Sequence, residues 1–443
     1  MSMNIQEIEA ALLNRWPETR INPTLDRIAM LADMLGSPQL SYPTIHIAGT
    51  NGKTTTTRII DSLCMELGLR TGRFTSPHLE SFLERISING EPISEKFMIA
   101  TYQDISPYFD LVDSKMEHRL SFFEAITALA FAAFAEFPVD VGIFECGMGG
   151  EWDSTNVIDA KVSVITPIGL DHTQYLGDTL SEIAQTKSGI IKADSFAVLA
   201  RQELDPAQVL LRKCAEMGAT PIREGIEYQV SKRSVAVGGQ LLNIKGVYGE
   251  YEDLFLPLHG EHQATNAATA LAAVEVFAGE SALDDELLRT AFSNATSPGR
   301  CEILMRNPTV IVDAAHNPHG AKSLRKTIES EFDFERIIGV IAIMGDKDVS
   351  GILEEFEAIM SQVIVTRNTS HRAAAIDELA DSARDVFGND RVNVAPNLEA
   401  AITAAIDEAK MDIAVNDRSC AVLIAGSVIS AGEARAIIRK LKG

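Results

Sequence analysis

The stretch Pro43–Thr57, reading PTIHIAGTNGKTTTT, constrains this chain more than any other. Thr44–Ala48 are β-branched or apolar enough for a buried strand, and a helical pattern follows Thr54. Between them lie Gly49, Thr50, Asn51, Gly52 and Lys53. A strand, a glycine turn, Lys-Thr and a helix make a phosphate cradle. The glycines let backbone N–H groups turn inward on an anion, and Lys53 adds a point charge for the outer phosphates. The hydroxyl of Thr54 can sit on a magnesium ion. A strict phosphate-loop pattern needs glycine five residues before Gly52, where this chain has Ile47. The strand-to-helix context therefore carries the reading.

Around this stretch the pattern is α/β. Residues 4–13 and 24–35 read as helices ahead of the loop, and Thr55–Leu67 as the helix after it. Arg70–Thr75 is a strand that runs into Ser76-Pro77-His78. Glu84–Asn89 and Glu91–Ile93 flank an Asn89-Gly90 hairpin turn. Phe122–Phe137 is a helix. Asp140–Glu145 and Lys161–Thr166 are strands, Thr179–Lys187 a helix and Phe196–Ala200 a strand. Residues 226–257 read as β-hairpin material, then His262–Phe277 and 283–294 as helices. After Ser297-Pro298-Gly299 the strands Thr309–Asp313, Ile337–Ile343, Gln362–Thr366, Arg391–Val394 and Ala421–Ala425 alternate with helices. Such alternation implies a parallel, doubly wound sheet. The expectation is an N-terminal P-loop ATPase domain over 1–298, with a parallel central sheet and a small β-rich subregion. A C-terminal Rossmann-like, doubly wound domain follows over 299–443.

A formal charge of -23 argues against a broad nucleic-acid or anionic-membrane surface. An anionic substrate must then be met by local cations, backbone amides and bound metal. Five cysteines are scattered without a C-x-x-C, as in a reducing cytosol. The N-terminus has Glu7 and Glu9 and no apolar signal-peptide core, and Ala125–Phe137 is too short to span a membrane. The expected location is cytoplasmic, with no nucleic acid or membrane partner.

In open α/β sheets ligands sit beyond the carboxyl ends of strands. Several such ends here carry polar or ionisable groups: the Gly49–Thr54 turn, Thr75-Ser76, Glu145 and Asp171-His172. Ser76, Glu145 and His172 are candidate magnesium ligands, although imidazole departs from the oxygen ligands magnesium prefers. Lys187, from its position alone, is an ordinary last-turn lysine favoured by the helix dipole. Asp313 ends a strand and precedes Ala314-Ala315-His316-Asn317-Pro318. Asn317 is a helix cap with Pro318 at the first helical position, which would fix where His316 points.

Gly49-Thr50-Asn51-Gly52-Lys53-Thr54 resembles the shortened phosphate loop of the Mur ligase superfamily, the ATP-dependent amide-bond ligases. Leu25-Asp26-Arg27, that loop, Thr75-Ser76-Pro77-His78-Leu79, Phe82, Glu84-Arg85-Ile86 and Ile88-Asn89-Gly90 together resemble the folylpolyglutamate synthase/dihydrofolate synthase family. Glu145–Gly150, Asp153–Asn156, Gly169–His172, His262-Gln263, Asn266-Ala267, Pro298–Arg300, Asp313–Pro318, Asp346–Asp348, Ala425–Ser427 and Gly432-Glu433 continue the match along almost the whole chain.

The resemblance implies a ligase that adds L-glutamate to dihydropteroate or reduced folates. ATP would be consumed through an acyl phosphate, and ADP and phosphate released. It implies ATP contacts at Gly49, Thr50, Asn51, Gly52, Lys53, Thr54, Thr55, Asn266, Arg300 and Asp313. Ser76, Glu145 and His172 match the family's magnesium ligands. Lys187 matches the lysine the family carbamylates, and a carbamate could hold a second magnesium. Lys53, Lys187 and His316 would be catalytic. Ser121, Phe123 and Asp153 match the pteridine pocket, where a carboxylate can accept two hydrogen bonds from an aminopyrimidinone edge. His316 and Ser427 fall in segments linked with glutamate. Potassium is a further candidate ion, and the expected state is a monomer. Four departures from the pattern stand out: Thr54-Thr55 for the common Gly-Ser, Glu151 for a basic residue, Thr186 for Glu, and Ser121 for Thr.

Two rivals are weaker. A wall-precursor ligase would carry a nucleotide-sugar domain before the loop, and only Met1–Tyr42 precede this strand. A P-loop switch or motor would leave Arg300 and Asp313–Pro318 without a role.

Overall fold

In the computed structural model, which describes residues 3–16, 22–279 and 281–442, the phosphate-loop strand lies in the interior of an eight-stranded sheet. The strands are β1 (Thr44–Ala48), β2 (Thr71–Phe74), β3 (Ile86–Ile88), β4 (Glu91–Pro92), β5 (Val141–Glu145), β6 (Val162–Ile165), β7 (Phe196–Leu199) and β8 (Thr220–Arg223), in the order β4-β3-β2-β5-β1-β6-β7-β8. β2, β5, β1, β6, β7 and β8 are parallel, so their carboxyl ends share one edge. β3 and β4 form the antiparallel hairpin at one side. In register, Ile47 faces Glu145 and Val164, which sets the loop after β1 between the ends of β5 and β6.

The helix Lys53–Glu66 follows the loop. Four consecutive threonines are poor helix formers, because β-branching costs rotamer freedom. Burial of Ile59, Ile60, Leu63 and Cys64 offsets that cost, at about 1.5–3 kcal/mol for each large side chain removed from water. The helix Phe122–Glu136 is buried on nearly every side. Its Phe131 and Phe134 meet Phe144 of β5 with ring centroids 5.3 and 5.6 Å apart. This aromatic cluster stiffens the strand that ends in Glu145.

By internal contacts the chain divides into two units, Met1–Ser234 with Gln240–Pro257 and Gln263–Thr296, and Val235–Gly239 with Leu258–His262 and Ser297–Gly443. The strands β9 (Gln229–Ala236), β10 (Gly239–Lys245) and β11 (Glu250–Leu256) make a three-stranded sheet. The second unit carries β12 (Glu302–Arg306), β13 (Thr309–Val312), β14 (Arg336–Ile341), β15 (Gln362–Val365), β16 (Val392–Val394) and β17 (Cys420–Ala425), ordered β12-β13-β17-β14-β15-β16. All but β12 run parallel. The α/β class with parallel sheets matches the expectation.

Some elements went unread in the sequence. The 21-residue helix Glu95–Lys115 carries Pro107 in its interior, and a mid-helix proline normally argues against a helix. Ser94 caps it by accepting from Phe97 N, a signal that marks its start. The helix Leu204–Met217 begins without a side-chain cap, and only Gly218, left-handed at φ 65°, marks its end. The short strands β8 and β12 are likewise not among the strands expected from the sequence. No helix among the described residues is long and apolar enough to cross a membrane.

Candidate active site

The carboxyl edge of the first sheet gathers the phosphate loop, Glu145 and Ser76. Gly49 has φ 150°, and a Cβ there would lie 1.8 Å from Thr166 Oγ1. Only glycine lets β1 turn away at this point. The loop is then tied to the end of β6: Thr50 N donates to Pro167 O at 3.0 Å, and Gly169 N donates to Thr50 Oγ1 at 3.0 Å. Asn266 lies against the loop on the helix Glu261–Phe277, since a Cβ on Gly52 would be 2.5 Å from its Oδ1. Its amide donates to Gln263 Oε1 at 3.0 Å.

Glu145 is 1% exposed. Its Oε1 accepts from Thr54 Oγ1 at 2.9 Å, and its Oε2 from Ser76 N at 3.4 Å. Thr54 and Ser76 are thus brought to one carboxylate from two different strand ends. Magnesium takes hard oxygen ligands and keeps waters and substrate phosphates besides one or two protein groups. A carboxylate flanked by two hydroxyl-bearing residues beside a phosphate loop fits that donor set. His172 follows β6 in the left-handed region at φ 51°, and its N–H donates to Asp171 Oδ1 at 2.9 Å. A non-glycine residue held there is a sign of a constrained site. Among the described residues no three His, Cys, Asp or Glu side chains are close enough to hold a metal by themselves.

Lys187 is buried in the last turn of the helix Leu180–Ser188. Its Nζ donates to Gly49 O at 2.8 Å, and Lys53 Nζ donates to the same oxygen at 3.1 Å. Burial, and then the charge of Lys53, lower the Lys187 pKa to about 7. The dipole reading from position alone therefore gives way. This amine is partly neutral near pH 7, which makes it nucleophilic.

Of the expected pteridine residues, Asp153 lies beyond the end of β5, and Ser121 and Phe123 lie at the start of the helix Phe122–Glu136. Phe123 packs 5.8 Å from the Phe74 ring, and a Cβ on Gly147 would be 2.6 Å from its Cζ. Ser121 caps the helix Phe122–Glu136: its Oγ accepts from Glu124 N at 3.1 Å, and its own N donates to Glu124 Oε2 at 2.7 Å. Arg27 of the Leu25-Asp26-Arg27 motif grips the same Glu124, with Nε 2.9 Å from Oε1. Asp153 is 3% exposed, and its carboxylate accepts from Met148 N at 2.8 Å, Thr155 N at 3.0 Å and Thr155 Oγ1 at 2.6 Å. Asp153 thereby organises the Gly147–Asp153 turn with bonds inside the protein.

In the second unit, Asp313 follows β13. Its carboxylate accepts from Cys301 N and Ala315 N, each at 2.7 Å. Burial raises its pKa, and the nearby Arg300 counters this. His316 Nδ1 lies 2.9 Å from Ala314 O. Asn317 caps the helix Pro318–Glu331, its Oδ1 accepting from Gly320 N at 2.8 Å. Ser427 lies just past β17, the neighbour of β13, and Gly426 N donates to Ala315 O at 3.1 Å. The His316 and Ser427 segments are therefore adjacent at one sheet edge.

The sequence assigns no role to His46, and Thr155 enters it only within the Asp153–Asn156 motif. Nε2 of His46 lies 2.7 Å from Thr155 Oγ1, in the interior. A polar residue in the middle of a buried strand was the available signal, because such a group must be hydrogen-bonded.

The Mur ligase middle domain family matches residues 47–274, and the Mur ligase glutamate ligase domain family matches residues 299–428. The chain is 48% identical over 98% of its length to the dihydrofolate synthase/folylpolyglutamate synthase of Mycobacterium tuberculosis, covering 94% of that protein. With the enzyme of the same name from Bacillus subtilis it is 36% identical, over 82% of this chain and 85% of that one. It superposes on the M. tuberculosis folylpolyglutamate synthase complexed with ADP at a TM-score of 0.94 and 49% identity, with 98% of each chain covered. On Escherichia coli FolC in complex with DHPP and ADP the TM-score is 0.86 at 29% identity, covering 100% of this chain and 99% of that one.

Proposed function

Because the chain belongs to the Mur ligase family, and within it to the dihydrofolate synthase/folylpolyglutamate synthases, it is an ATP-dependent ligase that joins L-glutamate to dihydropteroate or folate, and we propose which residues carry the reaction. The substrate carboxylate attacks the γ-phosphate of ATP, giving an acyl phosphate and ADP. The amine of glutamate then attacks the acyl carbon and expels phosphate.

Two anions approach each other in the first step. Lys53 and the loop N–H groups that are not bonded to Pro167 hold the phosphates, supplying fixed positive charge where negative charge develops. Asn266, Arg300 and Asp313 are assigned to the nucleotide. Ser76, Glu145 and His172 would hold magnesium, and Thr54 lies hydrogen-bonded to Glu145. When bound, the ion supplies charge neutralisation on the phosphates. Lys187 is proposed to be carbamylated: its neutral amine adds to the carbon of CO2 and loses one proton, giving an anionic group that could hold a second magnesium. The low pKa of this buried amine supports that step. Ser121, Phe123 and Asp153 are assigned to the pteridine pocket, with Asp153 acting through the turn it organises. His316 and Ser427 are assigned to glutamate. The domain ranges 1–298 and 299–443 remain part of the same proposal. Action in the cytoplasm is consistent with five free, buried cysteines.

The observation that carries this reading is the meeting of Thr54, Ser76 and Glu145 beside the loop that Lys53 and Lys187 share. The test is ADP release with ATP and glutamate, comparing dihydropteroate, tetrahydrofolate and methylenetetrahydrofolate as acceptors. Turnover should require both an acceptor and glutamate. Release of ADP independent of glutamate with every acceptor would overturn the proposal.

A further inference from the structure

His46 is wholly buried on β1, three residues before Gly49. Its Nε2 lies 2.7 Å from Thr155 Oγ1 and 3.1 Å from Cys146 Sγ. Thr155 Oγ1 lies 2.6 Å from Asp153 Oδ1. The hydroxyl of Thr155 has one proton to give. Burial raises the Asp153 pKa, but the N–H groups of Met148 and Thr155 and the Thr155 hydroxyl, all aimed at its oxygens, counter this and favour the carboxylate, which can only accept. The Thr155 proton therefore goes to Asp153. Thr155 Oγ1 is left to accept from His46, which places the imidazole proton on Nε2. Nδ1 of His46 has no hydrogen-bond partner. A bare nitrogen lone pair is the cheaper group to leave there, since orphaned buried N–H groups are rarer than under-satisfied acceptors. The reverse direction of the chain would put an N–H on Nδ1 with nothing to receive it.

We propose that His46 is a positioning residue: its Nε2–H directs a one-way chain of hydrogen bonds through Thr155 to Asp153, and this chain holds the Gly147–Asp153 turn in the place that binds the pteridine-bearing substrate. The inference rests on the assignment of that turn to the pteridine pocket. Burial, followed by the charge of Lys192, lowers the His46 pKa well below its ordinary value. The ring is therefore neutral at physiological pH, as the chain requires. The hydrogen bonds of the His46 ring go to Thr155 and Cys146, so its effect should fall on the acceptor and not on ATP.

Two measurements on the full-length enzyme test this. Nitrogen-15 NMR of histidine-labelled protein, with the His46 signal identified by its loss in His46→Gln, should show the neutral Nε2–H tautomer; an Nδ1–H tautomer or an imidazolium would overturn the proposal. In steady-state kinetics, His46→Leu should raise the KM for dihydropteroate or folate about tenfold, with the KM for ATP within about twofold of the parent. His46→Gln, whose side-chain amide can donate to Thr155, should recover most of that loss. Equal rises in both KM values, or a folded Gln variant no better than Leu, would overturn it. Asp153→Asn separates the two levels. An unchanged acceptor KM in that variant would refute the pocket assignment, whereas a raised one beside a normal His46→Leu would refute only the role of His46.

Discussion

Lys53 and Lys187 aim their ammonium groups at one oxygen, the carbonyl of Gly49, from 3.1 and 2.8 Å. One lysine opens the helix after the loop, and the other closes a helix 134 residues later in the chain, by the difference of their numbers. Burial, and then the charge of Lys53, raise the cost of charging Lys187, whose pKa falls to about 7.

Replacing Lys187 with Met should therefore stabilise the fold while abolishing turnover. The folded state binds fewer protons here than the unfolded chain between about pH 7 and 10.5, so this residue makes stability rise with pH across that window. At pH 7 the cost relieved is at most on the order of 4 kcal/mol, reduced by the lost bond to Gly49. Urea titration of both proteins at pH 7 and pH 10 checks this; the difference should shrink at the higher pH.

If the same amine is carbamylated, activity should depend on dissolved CO2. Enzyme freed of bicarbonate and assayed under CO2-free buffer should lose most of its activity and regain it on adding bicarbonate. The regained fraction should fall below about pH 7, where the amine is protonated. Mass spectrometry of intact protein under bicarbonate, with Lys187→Met as the blank, locates the added mass.

Glu145→Gln should leave the fold intact and lower kcat by roughly 100-fold or more, with a raised requirement for magnesium. The amide keeps the shape and can still accept from Thr54. It removes the negative charge that a cation needs. Magnesium titrations of activity, alongside thermal melts, distinguish this from unfolding.

Gly49→Ala should weaken ATP binding far more than glutamate binding. The new Cβ would meet Thr166 Oγ1 at 1.8 Å and must also adopt φ near 150°. Such strain costs about 1–3 kcal/mol before any clash is counted. Calorimetric titration with ADP reads the loss directly.

Glu124→Ala should destabilise the protein by roughly 3–5 kcal/mol, because it strands the guanidinium of Arg27 in the interior. Arg27 and Glu124 pair at 2.9 Å with side chains 9% and 4% exposed. Ser121 loses its N-terminal bond in the same change. The double variant Arg27→Met, Glu124→Ala should recover part of the loss, and urea midpoints for the cycle measure how much.

Much of this was legible in the sequence because its signals are local. The strand Thr44–Ala48, the loop and the helix beyond it follow from apolar spacing and glycine within a few residues of one another. The alternation beyond Pro298 likewise shows a parallel sheet without any contact being known. The helix Glu95–Lys115 was hidden by Pro107, where packing of Met98, Tyr102, Ile105 and Phe109 overrides a local rule.

What only the tertiary structure decided are the pairings of residues far apart in the chain. Thr54 meets Glu145 across 91 residues, and Lys187 meets Gly49 across 138. Nothing in the spacing of a last-turn lysine shows that burial beside Lys53 will lower its pKa to about 7. The donors that surround Asp153, and its link through Thr155 to His46, likewise come only with the folded turn. The order of residue types is enough to specify strands and loops. Desolvation and hydrogen-bond direction depend on which groups close around a side chain, and those come from distant parts of the chain.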